Sequence, residues 1–287
     1  MQRRQALLAG LGAAVAASLP AAARQTPRIV SVGSSITEIV YALGAEKLLV
    51  GVDTTSMYPE AARALPQVGY MRALSAEGVL SLKPTLIIAT TAAGPAGALE
   101  QLKATGIEVL VLPELYDYDS VVTKIAAVGK ATGKVAEADA MIARGREAMT
   151  TLAGKLKGAT SHPRVLFLLS MGGGAPQAAG RDTAAAGIIR LAGGINAIDG
   201  YSGYRPLTPE AAIASKADYV LVTRQTVQAM GGLQAILDQP SLNRTPAGKV
   251  GKVLEFDALL LLGFGPRTPQ AAAELAAKLH PELARAP

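Results

Sequence analysis

Apolar positions along this chain change their spacing in a regular way, from short continuous runs to stripes three or four residues apart. Arg28 to Gly33 reads RIVSVG, a β-branched run closed by glycine. Behind it Ile36, Ile39, Val40 and Leu43 share one helical face, with Ser34, Ser35 and Thr37 predicted as N-caps. Leu48 to Val52, Leu86 to Ala89 and Val109 to Leu112 read as further buried strands, with helices predicted near Ser75 to Leu82 and Ala98 to Thr105. Such alternation predicts a parallel-type sheet flanked by helices. Helical spacing then runs from Asp119 to Thr132, and from Lys134 to Lys157 it places Val135, Ala138, Met141, Ile142, Gly145, Met149 and Leu152 on one side. Gly133 is the expected C-cap between these pieces, and the second is long for a crossover. After Ser161-His162-Pro163 the alternation restarts with a strand at Arg164 to Leu169, a turn at Gly172 to Gly174, a helix near Thr183 to Leu191 and a strand near Tyr219 to Thr223. The pattern predicts two Rossmann-like α/β lobes, residues 24–133 and 158–287, bridged by a single long helix over 134–157 with a ligand cleft between the lobes.

The two halves also resemble each other. Ser75-Ala76-Glu77 through Lys83-Pro84 corresponds to Thr208-Pro209-Glu210 through Lys216-Ala217 at a constant offset of 133 residues, and each copy leads into a strand ending in Thr, at Thr90 and Thr223. Gly69-Tyr70 is mirrored by Gly203-Tyr204 with one residue fewer in the second copy. Duplication of one lobe is the reading that accounts for all of these.

Residues 1–23 have the form of a secretory signal peptide: Arg3 and Arg4, an apolar run from Ala6 to Ala17, and Ala21-Ala22-Ala23 at the end. The run falls short of the roughly 20 apolar residues that span a bilayer, so cleavage near Ala23 is expected to leave no membrane anchor. Paired arginines admit a twin-arginine route as well as ordinary secretion. A lipid-anchored form would need Cys at the cleavage point, and the chain has none. A periplasmic protein is expected.

Composition narrows the chemistry. Half of the 287 residues are hydrophobic and 17% are charged, which excludes a disordered chain. The formal charge of +6 falls to +4 when Arg3 and Arg4 leave with the signal peptide, and no basic block with interleaved aromatics appears, so no nucleic-acid partner is expected. With no Cys and two His, thiolate sites, Cys nucleophiles and His-rich zinc centres are excluded. The glycine turn after Leu169 lacks the spacing of a phosphate loop, and no Ser/His/Asp set is credible, which leaves an exported α/β enzyme the weaker reading. His162 and His280, each beside Pro, are expected at the surface.

Gly69-Tyr70-Met71-Arg72 sets a phenol two residues from a guanidinium in a predicted cleft loop. A phenolate is a hard ligand for ferric iron, a neighbouring cation favours the deprotonated form, and a Tyr oxygen is one known axial ligand of haem. On this tetrad alone, a loop aromatic packed on its lobe with a solvated Arg72 is the favoured reading.

The series RIVSVGSSITEIVYALG, VGYMRALSAEGVLSLKPTLII, LFLLSMGGGAPQAAGRDT, GYRPLTPEA and LLLLGFGPRTPQAAAELA resembles the haem-binding periplasmic proteins of bacterial haem ABC transporters, over about Arg28 to Leu283. The first and last segments are shared with cobalamin and ferric-siderophore binders of the same fold, which remain the alternative ligands. The resemblance implies ferric haem b as the transported ligand, held edge-on in the cleft by Tyr70 with Arg72 stabilising the phenolate. It also implies little lobe closure on binding. In the opposite lobe the family supplies an Arg or His. Here the corresponding loop carries Met171, a soft pocket wall, so Arg224 is the expected distal contact or propionate partner, with Tyr204 and Arg205 in reserve. Glu77 and Glu210 match the acidic residues with which the family docks on the arginines of an inner-membrane permease dimer. A monomer is expected.

Overall fold

All four residues of Ile29–Val32 (β1) are buried on both faces, as a central parallel strand covered by helices must be. The computed structural model describes residues 26–170 and 175–284. In the first lobe β1 is followed by Ser34–Ala42 (α1), Leu49–Val52 (β2), Ala76–Ser81 (α2), Leu86–Thr90 (β3), Ala96–Ala104 (α3) and Glu108–Leu112 (β4). The four strands form one parallel sheet in the order β2-β1-β3-β4. Gly33, not a serine, occupies the N-cap of α1, at φ 111°, a conformation that favours glycine. Two of the residues expected to cap it are used otherwise: the Thr37 hydroxyl is linked to those of Ser31 and Ser56 at 2.7 and 2.6 Å in the interior, and Ser35 Oγ accepts from Lys124 Nζ at 3.3 Å.

Tyr118–Thr132 (α4) begins at the N-cap Asp117, whose Oδ1 accepts from Ser120 N, and ends at Gly133 in the left-handed conformation. Val135–Leu156 (α5) follows, burying Ala138, Ile142 and Leu152. Gly145 permits the close approach of α4 and α5, since a Cβ there would overlap the Tyr118 hydroxyl.

The second lobe contains Arg164–Leu169 (β5), Gln177–Ala179 (β6), Ala184–Leu191 (α6), Ile195–Asn196 (β7), Tyr204–Pro206 (β8), Pro209–Ala214 (α7), Tyr219–Thr223 (β9), Arg224–Ala229 (α8), Leu233–Leu237 (α9), Pro246–Lys249 (α10), Val253–Phe256 (β10), Ala258–Leu262 (α11) and Thr268–Leu279 (α12). Its sheet runs β10-β9-β5-β6-β8, with β7 also on β5. The pairs among β10, β9, β5 and β7 are parallel, whereas β6 pairs antiparallel with both β5 and β8, and the apolar pattern marks neither β6 nor β8. Three-residue strands such as β6 and β8 are too short to show a period. One hydrophobic core runs through both lobes, from Ile29 and Ile88 through Ile125 and Ile142 to Phe167 and Leu275.

The internal repeat is visible in backbone detail. Ser75 and Thr208 each cap their helix by accepting from the N–H three residues on. Lys83 and Lys216, equivalent at the 133-residue offset, share the rare left-handed φ of 48°. The arginine opening each lobe's first strand ties that helix end down: Arg28 Nη2 donates to Leu82 O at 2.7 Å and Arg164 Nε to the equivalent Ser215 O at 2.8 Å.

Among the described residues no helix is long and apolar enough to cross a membrane. Residues 1–25, which hold the expected signal peptide, lie outside the described residues.

Candidate functional site

The loop that carries Tyr70 is fixed from three sides. Thr54 N donates to Gly69 O at 2.9 Å, Gly94 N to Met71 O at 2.8 Å, and Leu74 N to Gly94 O at 2.8 Å. Gly69 turns the chain at φ 93°, and Ala73 N closes the next turn on Tyr70 O at 2.8 Å. Beneath lies Asp53, fully buried, whose carboxylate accepts from Gly33 N, Ser56 Oγ, Thr55 N and Thr55 Oγ1 at 2.7 to 2.9 Å. This buried carboxylate joins the glycine turn after β1 to the segment that holds Gly69. Sequence reading missed Asp53, because a single Asp before Thr-Thr-Ser looks like any polar loop.

Tyr70 is thereby presented outward, 46% exposed and without a hydrogen-bond partner for its hydroxyl among the described residues. The next two residues turn inward. A cleft of about 200 Å³ between the lobes is lined by Ser35, Met71 and Arg72 on one side and by Ala184, Tyr204 and Gly263 on the other. A second cavity of about 270 Å³ adjoins it and shares Glu114 and Tyr116. The structure therefore brings Arg72 and Tyr204 together across the cleft, while Tyr70 stands outside the enclosed volume. The first-lobe wall comes from segments that follow parallel strands, where α/β folds bind ligands, whereas Tyr204 is on the antiparallel strand β8.

The two mirrored tyrosines differ in chemistry. Burial, reinforced by the nearby Tyr116, pushes the Tyr204 phenol up to about 12, against weaker opposing effects of hydrogen bonds from Ala185 N–H and the Thr183 side chain and of the Arg72 charge. Burial therefore disfavours the Tyr204 phenolate that ferric iron would require. Because its folded-state value lies above the unfolded one near 10, its contribution to stability is full below pH 10 and is lost as pH rises toward 12. Tyr204→Phe should therefore flatten the fall in melting temperature between pH 10 and 12, a difference on the order of 2 kcal/mol. An equally steep fall in the variant would show that Tyr204 does not carry it.

Other predicted residues are placed away from the enclosed cleft. Arg224 opens α8 with its side chain 61% exposed and Nε 3.3 Å from Glu255 Oε1. Arg205, on β8, lies 4.8 Å above the Tyr201 ring in a cation–π contact. Met171 lies outside the described residues. Glu77 and Glu210 are both exposed in the first turns of α2 and α7. His162 is at the surface as expected, but His280 is not: it is fully buried, with Nδ1 3.4 Å from Glu282 Oε1. Its place at the C-cap of α12, packed near Gly193, buries it despite the adjacent Pro281. Among the described residues no group of three or more His, Asp and Glu is arranged to hold a metal ion.

A buried ion pair stiffens the cleft floor. Lys124 Nζ, fully enclosed, lies 3.0 Å from Glu114 Oε1 and 3.3 Å from Ser35 Oγ. Burial lowers its pKa and the Glu114 carboxylate partly restores it. A larger cavity, about 660 Å³, lies elsewhere, between α5 and α12, and none of the predicted ligand residues among the described residues borders it.

The model for the family described as periplasmic binding protein matches residues 29–259, which is most of both lobes. The chain belongs to that family. This periplasmic binding protein is a substrate-binding component of transport and not an enzyme. It is similar to the periplasmic heme-binding protein BhuT in complex with two hemes, at 40% identity and a TM-score of 0.85, over 90% of this chain and 99% of that one. It is similar to RhuT from Roseiflexus sp. RS-1 in apo form, also a periplasmic heme-binding protein, at 39% identity and a TM-score of 0.84 over 90% and 99% of the two chains. A periplasmic heme-binding protein from Pseudomonas aeruginosa gives 36% and 0.80 over 89% and 93%. By sequence it is 28% identical to the uncharacterized ABC transporter substrate-binding lipoprotein YvrC of Bacillus subtilis, over 90% of this chain and 82% of that one.

Proposed function

We propose that this protein captures ferric haem b in the periplasm, binds it in the interlobe cleft through the Tyr70 phenolate, and delivers it to an ABC permease dimer in the inner membrane. The observation that carries this reading is the pair of mirrored tyrosines. One phenol is exposed beside a cleft with no hydrogen-bond partner among the described residues, and the other is held neutral within it. The resident group here is the cargo itself, a flat, largely apolar macrocycle with an electrophilic ferric ion and two anionic propionates. Tyr70 offers the hard anionic oxygen that ferric iron accepts. Arg72, at the cleft wall two residues on, adds the positive field that favours phenolate and dianionic cargo. Arg224 and Arg205 stand further out as propionate partners, and Tyr204 is suited to donate a hydrogen bond. Lobes of residues 24–133 and 158–287 joined by the helix over 134–157, a signal peptide cleaved near Ala23, and a monomeric mature protein complete the reading. Support comes from the three heme-binding neighbours, each aligned over most of both chains.

Cobalamin is the alternative with its own support, since a 92-residue segment is 40% identical to the vitamin B12-binding protein of Yersinia pestis, about a third of each chain. Titrating the purified mature protein with hemin and with cyanocobalamin separates them. Saturable change of the hemin Soret band without cyanocobalamin binding is expected. Saturable cyanocobalamin binding with an unperturbed hemin spectrum would overturn the assignment.

A further inference from the structure

The proposed site explains Tyr70 and its surroundings but leaves one interlobe contact without a role. Glu38 lies on α1 in the first lobe and Arg267 at the N-cap of α12 in the second, 229 residues apart in sequence. They form a forked pair: Arg267 Nε donates to Glu38 Oε1 at 3.0 Å and Nη2 to Oε2 at 2.9 Å. The Tyr58 ring covers the guanidinium with its centroid 3.6 Å away. Both partners are shielded, with side chains 23% and 10% exposed for Arg267 and Glu38. A two-bond fork fixes distance and angle together, unlike a single ion contact, and shielding limits its screening by salt.

Its location is what matters. Ser34 and Ser35, in the first turn of α1, line the first-lobe side of the cleft, and Glu38 stands one helical turn behind them. Leu262 and Gly263 line the second-lobe side, and Arg267 follows four residues after Gly263. The connecting turn is stiff, because Thr268 Oγ1 and N both donate to Gly265 O, at 2.8 and 3.1 Å, and Phe264 is buried. Gly265 sits against Glu38 itself, so a Cβ there would stand 3.5 Å from the carboxylate. The same turn is braced by Phe264 packing edge-on to Tyr116 at 5.4 Å, and by Arg190 Nη2 donating to Tyr116 O at 2.9 Å. Both cleft walls thus hang from one electrostatic fastening placed directly behind them.

We infer that Glu38 and Arg267 are positioning residues, a clamp that holds the two lobes at the separation at which the cleft receives its ligand, with Tyr58 as its cover. They touch no ligand and act through the walls that bear Ser34, Ser35, Leu262 and Gly263. The effect on hemin rests on the haem reading given above, whereas the effect on lobe separation does not.

The absence of Cys from the chain makes the test direct, because two introduced thiols are then the only ones. Gln101→Cys and Gln228→Cys, both at exposed positions, one in each lobe, receive spin labels, and the interlobe distance distribution is measured by pulsed electron paramagnetic resonance without ligand. In the parent a single narrow distribution is expected. Glu38→Gln removes the charge at constant size and should broaden or shift it. Arg267→Lys, which keeps the charge but loses the fork, should give an intermediate width. If about a tenth of molecules then hold the competent separation, hemin affinity falls about tenfold while the bound spectrum stays that of the parent. The charge swap Glu38→Arg with Arg267→Glu should narrow the distribution again. Should Glu38→Gln lose its fold by circular dichroism, Arg267→Lys and the swap carry the test alone. An unchanged narrow distribution in the folded variants overturns the clamp. A broadened distribution in a protein that never binds hemin upholds the clamp and removes the haem reading.

Discussion

Tyr70→Phe should lower hemin affinity by about 100-fold or more, whereas Tyr204→Phe should change it only a few-fold. Loss of a group that merely orients a ligand typically costs about 10 to 100-fold in metal affinity, and removal of the ligating oxygen should cost at least as much. The asymmetry follows from environment. Tyr70 is 46% exposed on a loop fixed by Gly69, Thr54 and Gly94, so its ring is available to incoming iron and its loss leaves no hole. Tyr204 packs edge-on against Phe167 at 6.3 Å and stays protonated, with its value raised to about 12. Parallel Soret titrations of the two variants check this, with thermal melts to confirm folding. Equal losses in both would deny Tyr70 its distinct role, and a loss confined to Tyr204→Phe would place the ligand in the second lobe.

Reversing both acidic residues, Glu77→Arg with Glu210→Arg, should abolish hemin transport into proteoliposomes bearing the cognate permease while leaving hemin affinity unchanged. Each carboxylate is exposed in the first turn of a helix whose N-cap, Ser75 or Thr208, already bonds the backbone. The cost to the fold is then the helix-terminus charge effect alone, about 0.3 to 1 kcal/mol per site. Neither residue borders the cleft. The repeat places them at equivalent positions, one per lobe, which suits a two-fold partner. Uptake at the parental rate, or loss of hemin binding in the double variant, would each reject the docking role.

Legibility in the sequence divided along physical lines. Elements with a long or fully apolar signal were read nearly to the residue: the strand at Arg164 to Leu169, the helix predicted over Lys134 to Lys157 and found at Val135–Leu156, and the Gly133 cap. The repeat was readable because it is written in capping and left-handed positions as well as composition, down to Lys83 and Lys216. Short antiparallel strands at Gln177–Ala179 and Tyr204–Pro206 were not, since three residues hold no period and their pairing is set by distant partners. The mirrored Gly-Tyr pairs were visible, yet their opposite burial was not, because it depends on β8 packing against the second lobe's core. Long-range polar links escaped entirely. Nothing local marks Glu38 as the partner of Arg267, Asp53 as the hub under the Tyr70 loop, or Lys124 as a buried cation. His280 was misplaced for the same reason: Pro next to a polar residue looks like surface, and nothing local shows that it packs near Gly193.

Resonance Raman spectroscopy of the hemin-loaded protein observes directly whether the Tyr70 oxygen is bonded to haem iron. Excitation into the charge-transfer band should show phenolate vibrations in the parent and in Tyr204→Phe, and none in Tyr70→Phe. Phenolate modes that persist in Tyr70→Phe, or their absence from the hemin-loaded parent, would contradict the account.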